Sequence, residues 1–251
     1  MFARWLSWLG GAARSSLSLI RSRLLVLLSL TTTRAAAAGP RWDAKNGVWV
    51  GNRAASSALD IPSPLWIFGY GSLCWRPDFA HETTMVGRVC GYQRFFAQRS
   101  CDHRGTPESP GLVATLLSDE ELVALGVRDG DAKAPSTCVG ICYLVGPDDV
   151  ETVLANLDFR EKGGYSRAVV QVQPSDGSPS VRALLYTGNS ENPNFTPEPI
   201  RNVAAAAATI ATAHGPSGPN RAYLEHLAAW LQEVGEEDEH VAALMRHMPP
   251  R

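Results

Sequence analysis

Strand-forming runs recur from Leu65 to Thr187, and helical periodicity follows them. That order limits the folds open to the chain more than any other feature. The β-rich runs cover residues 65–68, 86–98, 112–117, 138–145, 166–172 and 181–187. One helix is expected between the fourth and fifth, over residues 147–157. Pro147 suits its first position, and Asp148 and Asp149 suit its positive end. Residues 119–137 form a mixed insertion with no clear period. After the last strand, Ile200, Val203, Ala204, Ala207, Ile210 and Ala211 share one helical face, and Gly215 can end that helix. A second helix is expected after Pro219, with Tyr223, Leu224, Leu227, Leu231 and Val234 as its stripe, and a third over residues 236–248. Strands followed by helices read as one α+β domain with a curled sheet or barrel. The boundaries are an N-terminal extension and linker over residues 1–60 and a folded domain over residues 61–251.

The first run empties into Gly69-Tyr70-Gly71-Ser72-Leu73-Cys74. Glycines at a strand end permit positive φ and close approach of a ligand to the backbone. Successive N–H groups there can form an anion-binding nest. A dinucleotide loop of the form G-x-G-x-x-G fails because its third glycine would fall on Cys74. A G-x-S-x-G nucleophile elbow fails because Tyr70 and Cys74 flank Ser72 at the glycine positions. Without these readings, the loop is either a binding loop for a negative group or a tight turn.

The chain has 251 residues with 45% hydrophobic and 19% charged content, ordinary for a globular protein. Its net charge of −2 hides an asymmetry, because residues 1–42 hold six arginines and no acid. The remainder carries 17 basic and 25 acidic residues, a net of −8, which argues against nucleic-acid binding. The Arg-, Ser-, Ala- and Leu-rich leader reads as a mitochondrial transit peptide or disordered extension. Its seven-residue apolar run, 24–30, is too short to span a bilayer. The folded domain is therefore expected to be free of the membrane. Five cysteines (Cys74, Cys90, Cys101, Cys138, Cys142) without C-x-x-C spacing fit a reduced compartment. The expected location is cytoplasmic, with mitochondria as the alternative. Cys138 and Cys142 share one face of a strand and read as buried thiols. The histidines show no ligand pairing, so no metal site is expected.

A second informative segment runs Leu157-Asp158-Phe159-Arg160-Glu161-Lys162-Gly163-Gly164-Tyr165. A carboxylate before a double glycine can be carried into a cleft by a sharp bend. The alternatives are that Glu161 pairs with Arg160 or Lys162 on the surface, or that Asp158 is the working carboxylate.

Together, the Gly69 loop with Trp75 and the Arg160–Tyr165 segment resemble the ChaC family of γ-glutamyl cyclotransferases. Further segments extend the resemblance in the same order: His103-Arg104-Gly105-Thr106 with Pro110-Gly111, Asn192-Pro193-Asn194-Phe195, Gly215 to Asn220 with Tyr223-Leu224, and Asp238-Glu239-His240. Leu112, Arg221-Ala222, Phe195-Thr196 and the 119–137 insertion depart from the family pattern, and they bear on contacts to the far end of the substrate. The resemblance implies a compact α+β fold around a small, closed or partly open β-barrel with flanking helices. It also implies release of 5-oxoproline from a γ-glutamyl compound, typically glutathione with Cys-Gly as the other product, without metal or organic cofactor. On the same basis Glu161 matches the proton acceptor, and Gly69 to Cys74 match the substrate-binding loop.

Such a reaction is an intramolecular aminolysis, which needs a base and support for an oxyanion. Glu161 would take the ammonium proton and return it to the departing amine, with Arg160 and Lys162 pointing outward so that its pKa stays raised. Backbone N–H groups from Tyr70 to Leu73, with Ser72 beside them, would hold the carboxylate or oxyanion. Ser72 lacks a neighbouring base and is not a nucleophile. Tyr165 would close over the substrate or sit in the core, and Arg76 and Arg104 would meet the glycine-end carboxylate. The alternatives are a cyclotransferase for another γ-glutamyl peptide or amine, a silent γ-glutamyl-binding module, and a thiol enzyme using Cys74.

Overall fold

The computed structural model describes residues 41–43, 48–50, 59–160 and 164–250. The leader expected over residues 1–42 and the candidate base Glu161 therefore lie almost wholly or wholly outside the described residues. Within the expected N-terminal extension and linker, β1 (Arg41–Asp43) and β2 (Val48–Val50) pair antiparallel.

The principal sheet is a closed five-stranded barrel. In chain order its strands are β3 (Leu65–Gly69), β4 (Thr83–Cys90), β7 (Thr137–Val145), β8 (Ser166–Pro174) and β9 (Val181–Thr187). Around the barrel the order is β3-β7-β4-β8-β9. Closure comes from β3, which pairs antiparallel with β7 and parallel with β9. Between β4 and β7 the chain makes a separate antiparallel ribbon, β5 (Tyr92–Ser100) and β6 (Gly111–Ser118). The sequence suggests one long run over residues 86–98. It breaks instead at Gly91, whose φ of 79° turns the chain out of the barrel and into the ribbon.

Alternation along the strands gives the barrel sheet two apolar faces. Leu65, Ile67, Tyr143, Val145, Leu184 and Tyr186 pack with Val153 and Leu157 of the helix α2 (Val150–Arg160). This helix starts three residues later than Pro147 suggests, and the Asp149 backbone carbonyl accepts from Val153 N–H at 2.9 Å. The other face, including Phe68, Cys142 and Leu185, joins Phe96 and Leu116 of the ribbon and the C-terminal helices. Cys138 and Cys142 are buried there, as their spacing indicates.

The uninterpreted 119–137 stretch opens with a short helix, α1 (Asp119–Ala124). It is started by a capping box in which Ser118 and Glu121 satisfy each other's backbone N–H groups. That signal was present in the sequence as S-x-x-E. The helix expected over residues 200–211 is split. Asn202 leaves helical geometry between α3 (Glu198–Arg201) and α4 (Val203–Thr212), and its side chain caps α4 through Ala205 N–H at 3.1 Å. A two-residue strand pair, β10 (His214–Gly215) and β11 (Gly218–Pro219), then leads into α5 (Asn220–Glu233) and α6 (Glu239–His247).

One ion pair ties ribbon, barrel and final helix together. Arg94 on β5 is fully buried and donates to Asp238 Oδ2 at 3.0 Å and to the Val139 carbonyl of β7. Asp238 also caps α6, accepting from Val241 N–H at 3.0 Å. His240, on the first turn of α6, lies against Phe95 with ring centroids 5.0 Å apart. Burial pushes its imidazole down to about 4, so it is neutral in the folded protein.

Removing one member of a buried pair strands the other charge. Asp238→Ala is expected to lower the free energy of unfolding by about 3–5 kcal/mol in urea titrations. The double variant Arg94→Met/Asp238→Ala should recover part of that loss. A His with a depressed folded pKa gives stability that is complete above the unfolded value, about 6.5, and lost as pH falls toward 4. The loss expected from His240 is about 3 kcal/mol at most. His240→Phe should flatten the stability–pH curve between those values.

Candidate functional site

Strand direction decides where the loops meet. Because β3 and β9 run parallel and β8 runs antiparallel to β9, the end of β3, the end of β9 and the start of β8 lie at one end of the barrel. A cavity of about 310 Å³ opens there. Its wall brings together Gly69 to Leu73, the turn from Cys101 to Arg104, Arg160 at the end of α2, Tyr165, Asn194 and Tyr223. These residues come from segments far apart in the chain, including all of those singled out in the sequence that lie within the described residues, except Asp238-Glu239-His240.

The Gly69 loop leaves β3 and winds into a single 3-10 turn, Ser72–Cys74. Cys74 N–H bonds to the Gly71 carbonyl at 2.9 Å, and Arg76 N–H to the Ser72 carbonyl at 2.9 Å. The amides of Gly71, Ser72 and Leu73 open this turn and so find no acceptor within it. Two tyrosine hydroxyls fasten the loop. Tyr143 Oη donates to the Leu73 carbonyl at 2.5 Å, and Tyr70 Oη to the Tyr186 carbonyl at 2.9 Å. The glycines are required by space and not, as the sequence allowed, by positive φ. A Cβ on Gly69 would sit 2.5 Å from Leu73 Cβ, and one on Gly71 would sit 2.6 Å from Tyr223 Oη.

Cys74 does not belong to the binding surface. Its side chain is buried, its sulfur lies 3.7 Å from the Gly69 carbonyl, and burial pushes the thiol up to about 12. A thiol so placed is held protonated, which removes the thiol-enzyme reading.

Arg160 corrects a second expectation. It does not point outward. It donates to Ser72 Oγ at 2.5 Å and to the Arg76 carbonyl at 3.3 Å, and its guanidinium lies 3.7 Å from Asp78. The two informative segments are thus joined directly. Asp158, two residues before Arg160, is already committed: it accepts from Tyr186 Oη at 2.8 Å and from Arg167 Nε at 3.0 Å. A carboxylate bonded to a guanidinium and a phenol braces β8 and β9 and makes a poor proton shuttle.

Glu161 lies outside the described residues, together with Lys162 and Gly163. The described residues flanking it, Arg160 and Tyr165, both line the cavity. Gly164 between them has φ 94°, the left-handed bend for which glycine is suited. Tyr165 packs on the α2 core and also lines the cavity.

The opposite wall is made by backbone packed on backbone. A Cβ on Gly105 would lie 2.1 Å from Gly111 N, and one on Gly215 would lie 2.3 Å from the His103 carbonyl. Asn220 fastens the same region, accepting from Leu112 N–H and donating to the Leu112 carbonyl, both at 2.7 Å. Ser217 N–H bonds to the His103 carbonyl at 2.9 Å. This clamp presents Arg104, whose guanidinium donates to the Pro219 carbonyl at 3.1 Å and lies 5.6 Å from the Tyr223 ring centroid. Arg76 also lines the cavity but is exposed and paired with Asp78 at 2.8 Å. Among the described residues no group of acids, histidines and cysteines could hold a metal ion, and no helix is long and apolar enough to cross a membrane.

Sequence reading missed Gln98, Arg99 and Ser100, which also line the cavity. They follow an irregularity in β5 that simple alternation does not reveal. Asn194 and Tyr223 were visible only as members of longer motifs.

The ChaC-like protein family pattern matches residues 65–250. Glutathione-specific gamma-glutamylcyclotransferase 1 of Homo sapiens is 39% identical over 190 residues, spanning 73% of this chain and 78% of that protein. Glutathione-specific gamma-glutamylcyclotransferase of Schizosaccharomyces pombe is 35% identical over 186 residues, spanning 73% and 90%. The crystal structure of a gamma-glutamyl cyclotransferase specific to glutathione from yeast superposes with a TM-score of 0.66 at 27% identity, spanning 73% of this chain and 94% of that one.

The placement of Cys74 is checked by alkylation. Iodoacetamide at pH 8 should label exposed Cys90 in the native protein and leave Cys74 unmodified by peptide mass spectrometry. Labelling of Cys74 at the rate of a free thiol would contradict a buried position.

Proposed function

The chain belongs to the ChaC-like family, and we infer from that membership and from the cavity that it is a γ-glutamyl cyclotransferase converting glutathione to 5-oxoproline and Cys-Gly. The observation that carries the reading is the Arg160–Ser72 bond, which unites the Gly69 loop with the segment bearing Glu161 on one cavity.

The chemistry follows from what that cavity offers. The α-amino nitrogen of the γ-glutamyl unit forms a bond to its own γ-carbonyl carbon, and the amide bond to cysteine breaks. Holding the two groups within one chain supplies an effective molarity of roughly 10⁵ M or more, so the protein need not capture a second reactant. Glu161 takes a proton from the α-ammonium before attack and delivers it to the departing amine. The second proton that the attacking nitrogen sheds on becoming a lactam passes to the same amine, which leaves as ammonium, so the enzyme is unchanged and no water is consumed. Support for this role comes from its neighbours: the flanking Arg160 and Tyr165 line the cavity, while Asp158 is occupied by Arg167 and Tyr186.

The amides that open the Ser72–Cys74 turn suit a substrate carboxylate or the tetrahedral oxyanion; each such donor is commonly worth about 3 kcal/mol in the transition state. Arg160 adds positive charge beside Ser72. That charge favours the oxyanion, and its pairing with Asp78 tempers its pull on a neighbouring carboxylate. Of the two arginines offered to the glycine-end carboxylate, Arg104 is the better prepared, because Pro219 and Tyr223 already orient it. All five cysteines are free thiols, which suits the reduced cytoplasm, with mitochondria as the alternative that the Arg-rich leader provides.

Incubation of the purified full-length chain with glutathione should yield 5-oxoproline and Cys-Gly in equal amounts by mass spectrometry. Glu161→Gln should lower kcat by about 10²- to 10⁴-fold with an unchanged melting temperature. Turnover that survives the substitution would remove Glu161 from the mechanism, and absence of product from the unaltered chain would remove the activity.

A further inference from the structure

We propose that Gln98 is the residue that receives the substrate's free α-amino group, its side-chain carbonyl accepting a hydrogen bond from that nitrogen. The proposal rests on the γ-glutamyl cyclotransferase reading and assigns the part of the substrate that Gln98 recognises.

Gln98 is 1% exposed, yet it lines the cavity. Its Oε1 is buried with no hydrogen-bond partner among the described residues. Buried amide oxygens are nearly always satisfied, because leaving one without a donor costs free energy. An acceptor left without one on a cavity wall is satisfied most simply by what the cavity binds.

The backbone puts this side chain there by a specific device. Between Phe95 and Gln98 the ribbon loses register: Phe95 faces Thr115, whereas Gln98 faces Val113, so β5 advances three residues while β6 advances two. The extra residue is a β-bulge, a feature that re-aims side chains beside functional sites. Beyond the bulge, Gln98 is fixed by a bridge to Phe195, and Arg99 N–H bonds to the Asn194 carbonyl at 2.8 Å. Gly188 completes the space, since a Cβ there would lie 2.7 Å from Gln98 Oε1.

Chemistry selects the partner. A γ-glutamyl tripeptide brings two carboxylates and one amine. Arginines on the cavity wall, Arg104 and Arg160 among them, suit the carboxylates. The amine needs an acceptor, and it must reach the carbonyl unprotonated. A neutral amide oxygen can bond to the amine in either state and orient its lone pair. A carboxylate in the same position would instead hold it as ammonium.

The test compares glutathione with glutaryl-cysteinyl-glycine, which lacks only the α-amino group and cannot cyclise. Gln98→Met keeps the length of the side chain and removes the acceptor. It should lower kcat/KM for glutathione by about ten- to a hundredfold, while the inhibition constant of the glutaryl peptide moves less than twofold. Parallel weakening of both ligands would reveal a merely structural role and overturn the proposal, as would unchanged kcat/KM. If the methionine variant does not fold, Gln98→Asn withdraws the same amide by one methylene and is held to the same two outcomes. Absence of turnover by the unaltered chain would overturn the functional reading instead. Titration calorimetry of both peptides against the unaltered chain and the variants would then still read the Gln98 contact.

Discussion

Closure of the barrel through β3 is the constraint on which the site depends. A parallel pair in an otherwise antiparallel sheet forces two strand exits, those of β3 and β9, to the same rim. The antiparallel partner of β9 then has to begin there, which brings Tyr165 and Ser166 to that rim as well. No side chain has to be invoked to bring the Gly69 loop and the α2–β8 connection together. Hydrogen-bonded strand order does so, and side chains such as Arg160 and Tyr70 then set the distances.

The second layer supplies the opposite wall by different means. The ribbon β5–β6 is not part of the barrel, so its turn could swing relative to the rim. Among the contacts that hold it are the buried Arg94–Asp238 pair at one end and the glycine-on-glycine clamp closed by Asn220 at the other. The clamp explains why the Gly105, Gly111 and Gly215 motifs accompany the loop and the carboxylate in one chain. Their residues touch one another through backbone, and any side chain there would push Arg104 and His103 away from the cavity.

Much of this was legible in the sequence where chemistry is local. The Gly69 loop, the buried thiols and the switch from strands to helices could be read from spacing and residue type. The break at Gly91 could not, because one glycine in a β-rich run reads equally as a bulge, a turn or a weak point. The inward course of Arg160 was missed for a related reason. Adjacent charges suggest solvent, but the acceptor on Ser72 lies 88 residues earlier and becomes a neighbour only when the barrel closes.

Gln98 shows the limit of pattern reading most clearly. Along an undisturbed strand, Arg94, Phe96 and Gln98 would share a face with one another, and Gln98 would follow the buried Arg94 and Phe96 toward the helices. The bulge breaks that alternation, so the side chain meets the cavity instead. A bulge costs ladder hydrogen bonds, and here it also leaves a buried acceptor without a donor. A fold retains such a cost most readily where a ligand removes it. On the proposal that Gln98 meets the substrate amine, the ribbon side of the cavity would share in substrate recognition with the Gly69 loop. The free amine, the group that distinguishes a γ-glutamyl unit from a glutaryl chain, would then be recognised by an uncharged oxygen.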